Sequence, residues 1–542
     1  MSSRSLSYLL IPLLAVGLLI PTAANAAPEQ GQGFSAVPLH PDVVQALKAQ
    51  GKKIRTLFPN AVNQGRKFNP GGGVVGQLAT NPVQKVLVIF VEFTTPPPGG
   101  PANRLDLTYF DDLLFGTVYN PPEYAGYANA PTDRTLKNYY EAVSYGAVDV
   151  VTLNVPSAMG WTNVGHAYDY YCKADGVHDN GFGPFPNNAP GMIVDALTLL
   201  DSSIDFTQYA VGGELPNLFV VFAGTGAEWS GAYDLIWSHS WSISSSSGAG
   251  PYITHDGVRI DNYAVMPEVG GDLTGFTGII SGPYPPTVGV YAHEYGHVLG
   301  LPDQYDYGYE SDGTGIYSLM AGGSWNRYPS YSGSAIFSGN SPAFLDAWSR
   351  YRLGFVTPTE VTSATLGTLP PAETDATVYK MTVPFSGGKE YFLFENRQQI
   401  GFDQGLFRFG ATVHGLAVYH VDDVVMNRSY WRPNEAENWK EFRSLGAQKA
   451  WTGETHYGVS LIQADDRWDL EKYIYTLSGF RNDLYPGPLN ITSFGNSTLP
   501  NSSSYYFWRG SAPKFGYSGV TVRNITESNG TVTADFSFES AK

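Results

Sequence analysis

Residues 293–303 read His-Glu-Tyr-Gly-His-Val-Leu-Gly-Leu-Pro-Asp, and no other stretch constrains the fold as strongly. Histidines at i and i+4 share one face, one turn apart, only if the segment is helical. His293 and His297 can then present ring nitrogens to a single metal ion, and Glu294 can reach water beside it. Gly300 lets the chain turn sharply, so that Asp303 arrives as a candidate third ligand. The chain must therefore supply a helix that begins after Pro283, Pro285 and Pro286, with Thr287 as N-cap. That helix must stop near Gly300, ahead of Pro302.

The bare pattern H-E-x-x-H is short, and its context carries the weight. Downstream lies Met320, within the small-residue turn Ser318-Leu319-Met320-Ala321-Gly322-Gly323. The combination H-E-x-x-H-x-x-G-x-x-(H/D) plus a methionine turn resembles the metzincin clan of metallopeptidases, and within it the M6, immune inhibitor A-like family. The segments that carry the resemblance are 293–306, 318–325, 236–241 and 342–354, then 390–402, 414–422 and 459–470.

The resemblance implies an α+β fold. It consists of a metzincin-like zinc-peptidase domain (a twisted sheet backed by helices, an active-site helix and a Met-turn), followed by a mostly β accessory region. It also implies zinc held by His293, His297 and Asp303, Glu294 as general base, Met320 as a hydrophobic floor, and protein or peptide substrates. Clan members mostly carry His at the third ligand position, so Asp303 is a departure. Asp306 and Glu310 stay open as alternatives, the latter in the manner of gluzincins. Substrate is expected antiparallel to an edge strand, with residues 223–228 as the candidate. Tyr328 is a possible counterpart of the clan's assisting tyrosine, with an exposed aromatic as the preferred reading. Calcium is expected only as a structural ion with ligands unassigned. The loop Tyr209–Asn217 lacks the carboxylates that the family often places there, and Asp465, Asp466 and Asp469 read better as solvated turns.

Arg4, the apolar run Tyr8–Ile20 and Ala24-Asn25-Ala26 read as a signal peptide over residues 1–26, hence a secreted protein. Residues 27–80 read as a propeptide ending near Pro70–Gly73, with a short helical pattern over Asp42–Gln50. His40 and Asp42 are taken as polar loop residues in preference to blockers of a metal. Cys172 is the sole cysteine, which excludes internal disulfides and a thiolate propeptide switch. A net charge of −17 argues against nucleic acid or an anionic membrane as partner, and no segment reads as a membrane anchor.

Within a catalytic domain over 81–360, buried strands are expected at Lys85–Phe93 and Leu218–Ala223, with a further strand at Val148–Val155. Helices are expected at Thr135–Tyr145, Ala189–Leu200 and Pro342–Leu353, the last capped by Ser341. Over 361–542 the period turns to strands: Val378–Val383, Glu390–Phe394, Leu416–His420, Gly458–Gln463 and Val520–Asn524. Two rival readings remain, a gluzincin-type peptidase and an inactive exported adhesion protein with a structural metal site. The intact Glu294 argues against the second, because a structural site needs no general base.

Overall fold

The computed structural model describes residues 35–51, 54, 82–98, 104–122, 131–246, 248–270, 284–328, 337–406, 413–428, 432–435, 457–472, 480–505 and 516–540. The segment read as a signal peptide and most of residues 52–81 lie outside the described residues. The architecture is mixed α+β. Its first sheet contains β1 (Ser35–Ala36), β2 (Leu87–Glu92), β3 (Trp161–Asn163), β4 (Leu218–Thr225), β5 (His239–Ser242) and β6 (Asn262–Val269), in the order β1-β5-β6-β4-β2-β3. The ladders from β6 through β4 and β2 to β3 are parallel, which suits the apolar runs of β2 and β4, buried on both faces. β5 runs antiparallel to β6, and β1 adds antiparallel to β5, with Ser35 opposite Ser240 and Ala36 opposite His239.

Several expectations need correction. The Lys85–Phe93 run divides at Val86: residues Val83–Lys85 pair instead with Asp149–Val151, a shorter strand than expected, and only Leu87–Glu92 enters the main sheet. Residues 223–225 belong to β4, which sits between β6 and β2 and is no edge; the edges are β3 and the two-residue β1, which covers β5. The helix expected over Pro342–Leu353 starts at Ala347, with Asp346 rather than Ser341 as N-cap, because the Asp346 carboxylate accepts the Ser349 N–H at 2.9 Å.

Helix α1 spans Pro41–Ala49, α2 Leu136–Val143, α3 Ala189–Leu200, α4 Val288–Val298 and α5 Ala347–Leu353. α4 follows Thr287, as expected, and every residue from Val288 to His297 is buried. Two glycines permit this. A Cβ on Gly289 would stand 2.1 Å from the Ser324 carbonyl oxygen, and one on Gly296 would stand 2.6 Å from the Met320 sulfur. Tyrosines fix the helix to its surroundings. Tyr291 donates to the Pro267 carbonyl of β6 at 2.6 Å, and Tyr140 of α2 donates to the Ala292 carbonyl at 2.7 Å.

The second half carries two further sheets. β7 (Thr359–Glu360), β9 (Tyr379–Thr382), β10 (Glu390–Arg397), β11 (Gly415–Asp422) and β12 (Val459–Leu461) form one. β8 (Thr365–Leu369), β13 (Val520–Ser528) and β14 (Thr531–Phe538) form the other. Strand alternation divides β10 between two cores. Tyr391 and Leu393 join the core of the first half, whereas Phe392 and Phe394 join a separate core closed by Val522, Ile525 and Phe536. The same holds for β11, whose Tyr419 and Val421 face one way and Leu416 and Val418 the other. Among the described residues, no helix is long and apolar enough to cross a membrane.

Candidate metal centre and active site

α4 sets His293 and His297 one turn apart, and the turn after Gly300 (φ 99°) returns the chain so that Asp303 meets both rings. The two Nε2 atoms stand 3.0 Å apart, and Asp303 Oδ1 lies 3.1 Å from His293 Nε2 and 3.2 Å from His297 Nε2. A tetrahedral zinc ion with bonds of about 2.0–2.1 Å keeps its ligand atoms about 3.3 Å apart, so this triangle matches one face of such a site. Among the described residues it is the single group of three or more His, Cys, Asp or Glu whose ligand atoms converge so closely.

The ring tautomers suit this role. His293 Nδ1 lies 2.8 Å from the Leu319 carbonyl oxygen, and His297 Nδ1 lies 2.8 Å from that of Leu301. Each Nδ1 therefore carries the proton, and each Nε2 turns its lone pair to the shared point. Asp303 Oδ1 is buried with no hydrogen-bond donor, as is Glu294 Oε2. Burial works to raise the Asp303 carboxyl, but the His297 and His293 rings outweigh it and hold the group below the usual carboxylate range. Burial first, then the Asp303 charge, pushes the Glu294 carboxyl well above its ordinary value, against the pull of the Val37 N–H. Burial lowers the His293 imidazole.

Met320 lies directly under α4 against Gly296, in the turn whose Leu319 carbonyl holds His293. The open alternatives lie elsewhere. Asp306 spends its carboxylate on the N–H groups of Gly308, Glu310 and Ser311, and Glu310 is exposed. Tyr328 is half-buried, with its N–H on Asn340, so the exposed-aromatic reading fails. Asp469 is buried, and burial pushes the Asp465 carboxyl up to about 6, so these are not solvated turns. Cys172 is buried and its thiol is pushed up by desolvation, which leaves it inert.

Two features escaped the sequence. Tyr307 donates to Asp303 Oδ2 at 2.5 Å and stacks on Tyr305 with ring centres 4.8 Å apart. The alternating tyrosines 305, 307 and 309 were visible and all three are buried, but nothing local says which hydroxyl reaches Asp303. The second feature is the N-terminal segment, which lies across the site. The Val37 N–H donates to Glu294 Oε1 at 2.9 Å, and the Ala36 N–H points to Asp303 Oδ2 at 3.3 Å. His40 is buried as the N-cap of α1, not exposed in a loop.

With this geometry established, the comparisons are specific. The family model of the immune inhibitor A peptidase M6 catalytic domain matches residues 75–354, just over half of the chain. The chain belongs to the M6 peptidase family. Immune inhibitor A of Bacillus thuringiensis subsp. alesti is 31% identical over 295 residues, covering 47% of this chain and 40% of that protein. Pre-pro-metalloprotease PrtV of Vibrio cholerae serotype O1 is 26% identical over 312 residues, covering 51% of this chain and 30% of PrtV. The matches thus span less than half the length of these relatives.

Proposed function

We propose that this M6 family member is a secreted zinc-dependent endopeptidase of metzincin type, made as a zymogen. The observation that carries the reading is the triangle of His293 Nε2, His297 Nε2 and Asp303 Oδ1 beside the buried Glu294. The unpartnered Asp303 Oδ1 and the two outward-turned lone pairs fit a divalent ion that prefers nitrogen and oxygen ligands. When bound, zinc supplies Lewis-acid polarisation of the scissile carbonyl and makes water a stronger acid. Glu294 takes the proton of the attacking water at a carboxylate oxygen and hands it to the departing amine. A carboxyl raised by burial is suited to holding that proton between the two transfers. Tyr307 anchors Asp303 through its second oxygen, and Met320 supports the helix from below as the Met-turn residue.

The exposed Glu310 and the occupied Asp306 favour Asp303 as third ligand over a gluzincin set. Residues 1–26 serve as the export signal and 27–80 as the propeptide, with 81–360 catalytic and 361–542 accessory. The contacts of Ala36 and Val37 with Asp303 and Glu294 support latency, because a substrate cannot enter until this segment leaves. The name of one relative, a pre-pro-metalloprotease, agrees with that order.

The test uses protein freed of residues 27–80 and casein as substrate. Cleavage should disappear on chelation, return with zinc, and fail in Glu294→Gln; equal cleavage by the variant would sink the mechanism. Asp303→Ala should lose bound zinc in elemental analysis, and full zinc content in that variant would exclude Asp303 as a ligand.

A further inference from the structure

Residues 36–40 occupy a track built mainly from main-chain recognition. The hydroxyl of Tyr305 and the indole N–H groups of Trp237 and Trp325 donate to the carbonyls of Ala36, Val37 and Pro38 at 2.7, 2.8 and 2.9 Å. Glu294, the Tyr309 hydroxyl and the Glu228 carbonyl accept the N–H groups of Val37, Leu39 and His40 at 2.9, 2.8 and 2.8 Å. Bonds of this kind hold a peptide of any sequence.

The side chain of His40 is recognised differently. Its ring stacks on Trp229 (centres 5.4 Å apart, planes at 21°) and meets the edge of Trp325 at 5.0 Å. Nδ1 accepts the Asp42 N–H at 3.2 Å, so the proton sits on Nε2 and is donated to Ser338 Oγ at 2.7 Å. The ring is 1% exposed. The walls come from three elements that frame the active site: the turn after β4, the turn after Met320, and the segment bonded to Thr287 at the start of α4. None of them belongs to the N-terminal segment, so the slot persists once that segment departs.

We propose that the slot formed by Trp229, Trp325 and Ser338 is a specificity subsite for substrate peptides. It takes a flat, N–H-bearing ring, imidazole above all, three residues from the position whose N–H meets Glu294. This assignment rests on the peptidase reading, with His40 filling the subsite until activation.

The test begins with the full chain carrying Glu294→Gln and a specific protease site inserted at residues 70–73, nicked after folding. A labelled peptide of residues 35–50 is bound, and unlabelled variants compete with it. The His40→Ala peptide should compete about 10- to 30-fold more weakly, from the loss of one hydrogen bond and one stacked ring. The His40→Phe peptide keeps the stacking and should lose about fivefold. Ser338→Ala in the protein should weaken the His40 peptide about fivefold and leave the Phe peptide unchanged. His40 and Ala peptides within twofold of each other, or equal weakening of both ring peptides by Ser338→Ala, would overturn the proposal.

A second arm digests a peptide library with the processed, unsubstituted chain. Histidine should be enriched at one fixed position relative to the cut, and a profile flat for His and aromatics overturns the subsite. Absence of all cleavage counts against the peptidase reading, and the competition assay, which needs no hydrolysis, then decides the slot alone.

Discussion

Two of the buried polar clusters among the described residues are finished to different standards. Around Arg397, the guanidinium donates to both oxygens of Asp403 at 2.6 and 2.8 Å, to Glu395 at 3.2 Å, and to the Tyr317 and Phe344 carbonyls at 2.9 and 3.2 Å. Arg350 pairs with the other Glu395 oxygen, and Tyr419 donates to Glu395 at 2.8 Å. Apart from one oxygen of neighbouring Glu373, the charges there are matched. Around His293 the reverse holds, with the carboxylate oxygens Asp303 Oδ1 and Glu294 Oε2 left without donors although fully enclosed. A cluster that serves the fold satisfies itself, because an unpaired buried charge is costly. A cluster that serves chemistry keeps atoms in reserve for what it will bind.

That contrast can be broken by experiment. The largest separation is expected from Glu294→Gln, which should reduce peptide hydrolysis about 10²- to 10⁴-fold while leaving the melting temperature equal or higher. The charge it removes is one that burial already disfavours. A large loss of stability in that variant would mean that Glu294 is structural. Arg397→Leu should do the opposite, costing about 3–5 kcal/mol in denaturant titration because Asp403 is left buried without its cation and Glu395 loses one of its two. A cost within 1 kcal/mol would refute the assignment of that cluster to the fold.

Tyr307→Phe should weaken zinc affinity about 10- to 100-fold in chelator competition, with little change in global stability, since it removes only the bond that orients Asp303. An affinity unchanged by that substitution would deny Tyr307 the orienting role. The smallest effect concerns Glu228, whose carboxyl burial raises to about 7, against the Ser238 donors that favour the charge. Unfolded chain releases this proton near 4.5 and folded chain near 7, so the folded form holds the extra proton between. Stability from this group is thus present at low pH and lost as pH rises from about 4.5 to 7. Glu228→Gln should flatten that decline in melting curves taken across the window, and parallel curves would show that Glu228 is not its source.

The legible parts share a physical property: they are local. Helix periodicity placed His293 and His297 on one face, and helix α4 follows Thr287 as expected, although the threonine hydroxyl bonds the Ser338 carbonyl instead of the helix. Apolar runs located β2, β4, β10 and β11. The failures involve partners distant in sequence. The β5 end of the sheet is closed by β1, which lies some 200 residues earlier and pairs on β5, a choice no local pattern encodes. The helix expected at Pro342 begins only at Ala347, since Ser341 bonds the Phe402 carbonyl and the Phe344 N–H bonds Asp403. Asp465 and Asp469 resemble solvated turn residues until the packing of the surrounding chain buries Asp469 and one oxygen of Asp465.

The sequence by itself determined the pair of imidazoles, the acid beside them and the turn that follows, because 3.6-residue geometry and a glycine specify these over a dozen residues. Only the tertiary structure decided the rest. It brought Asp303 to the same point as the rings, set the Tyr307 hydroxyl on Asp303, and laid Ser35 and Ala36 along β5 with Val37 over Glu294. Those outcomes depend on contacts between segments some 20 to 270 positions apart, and such contacts form only when a whole core closes.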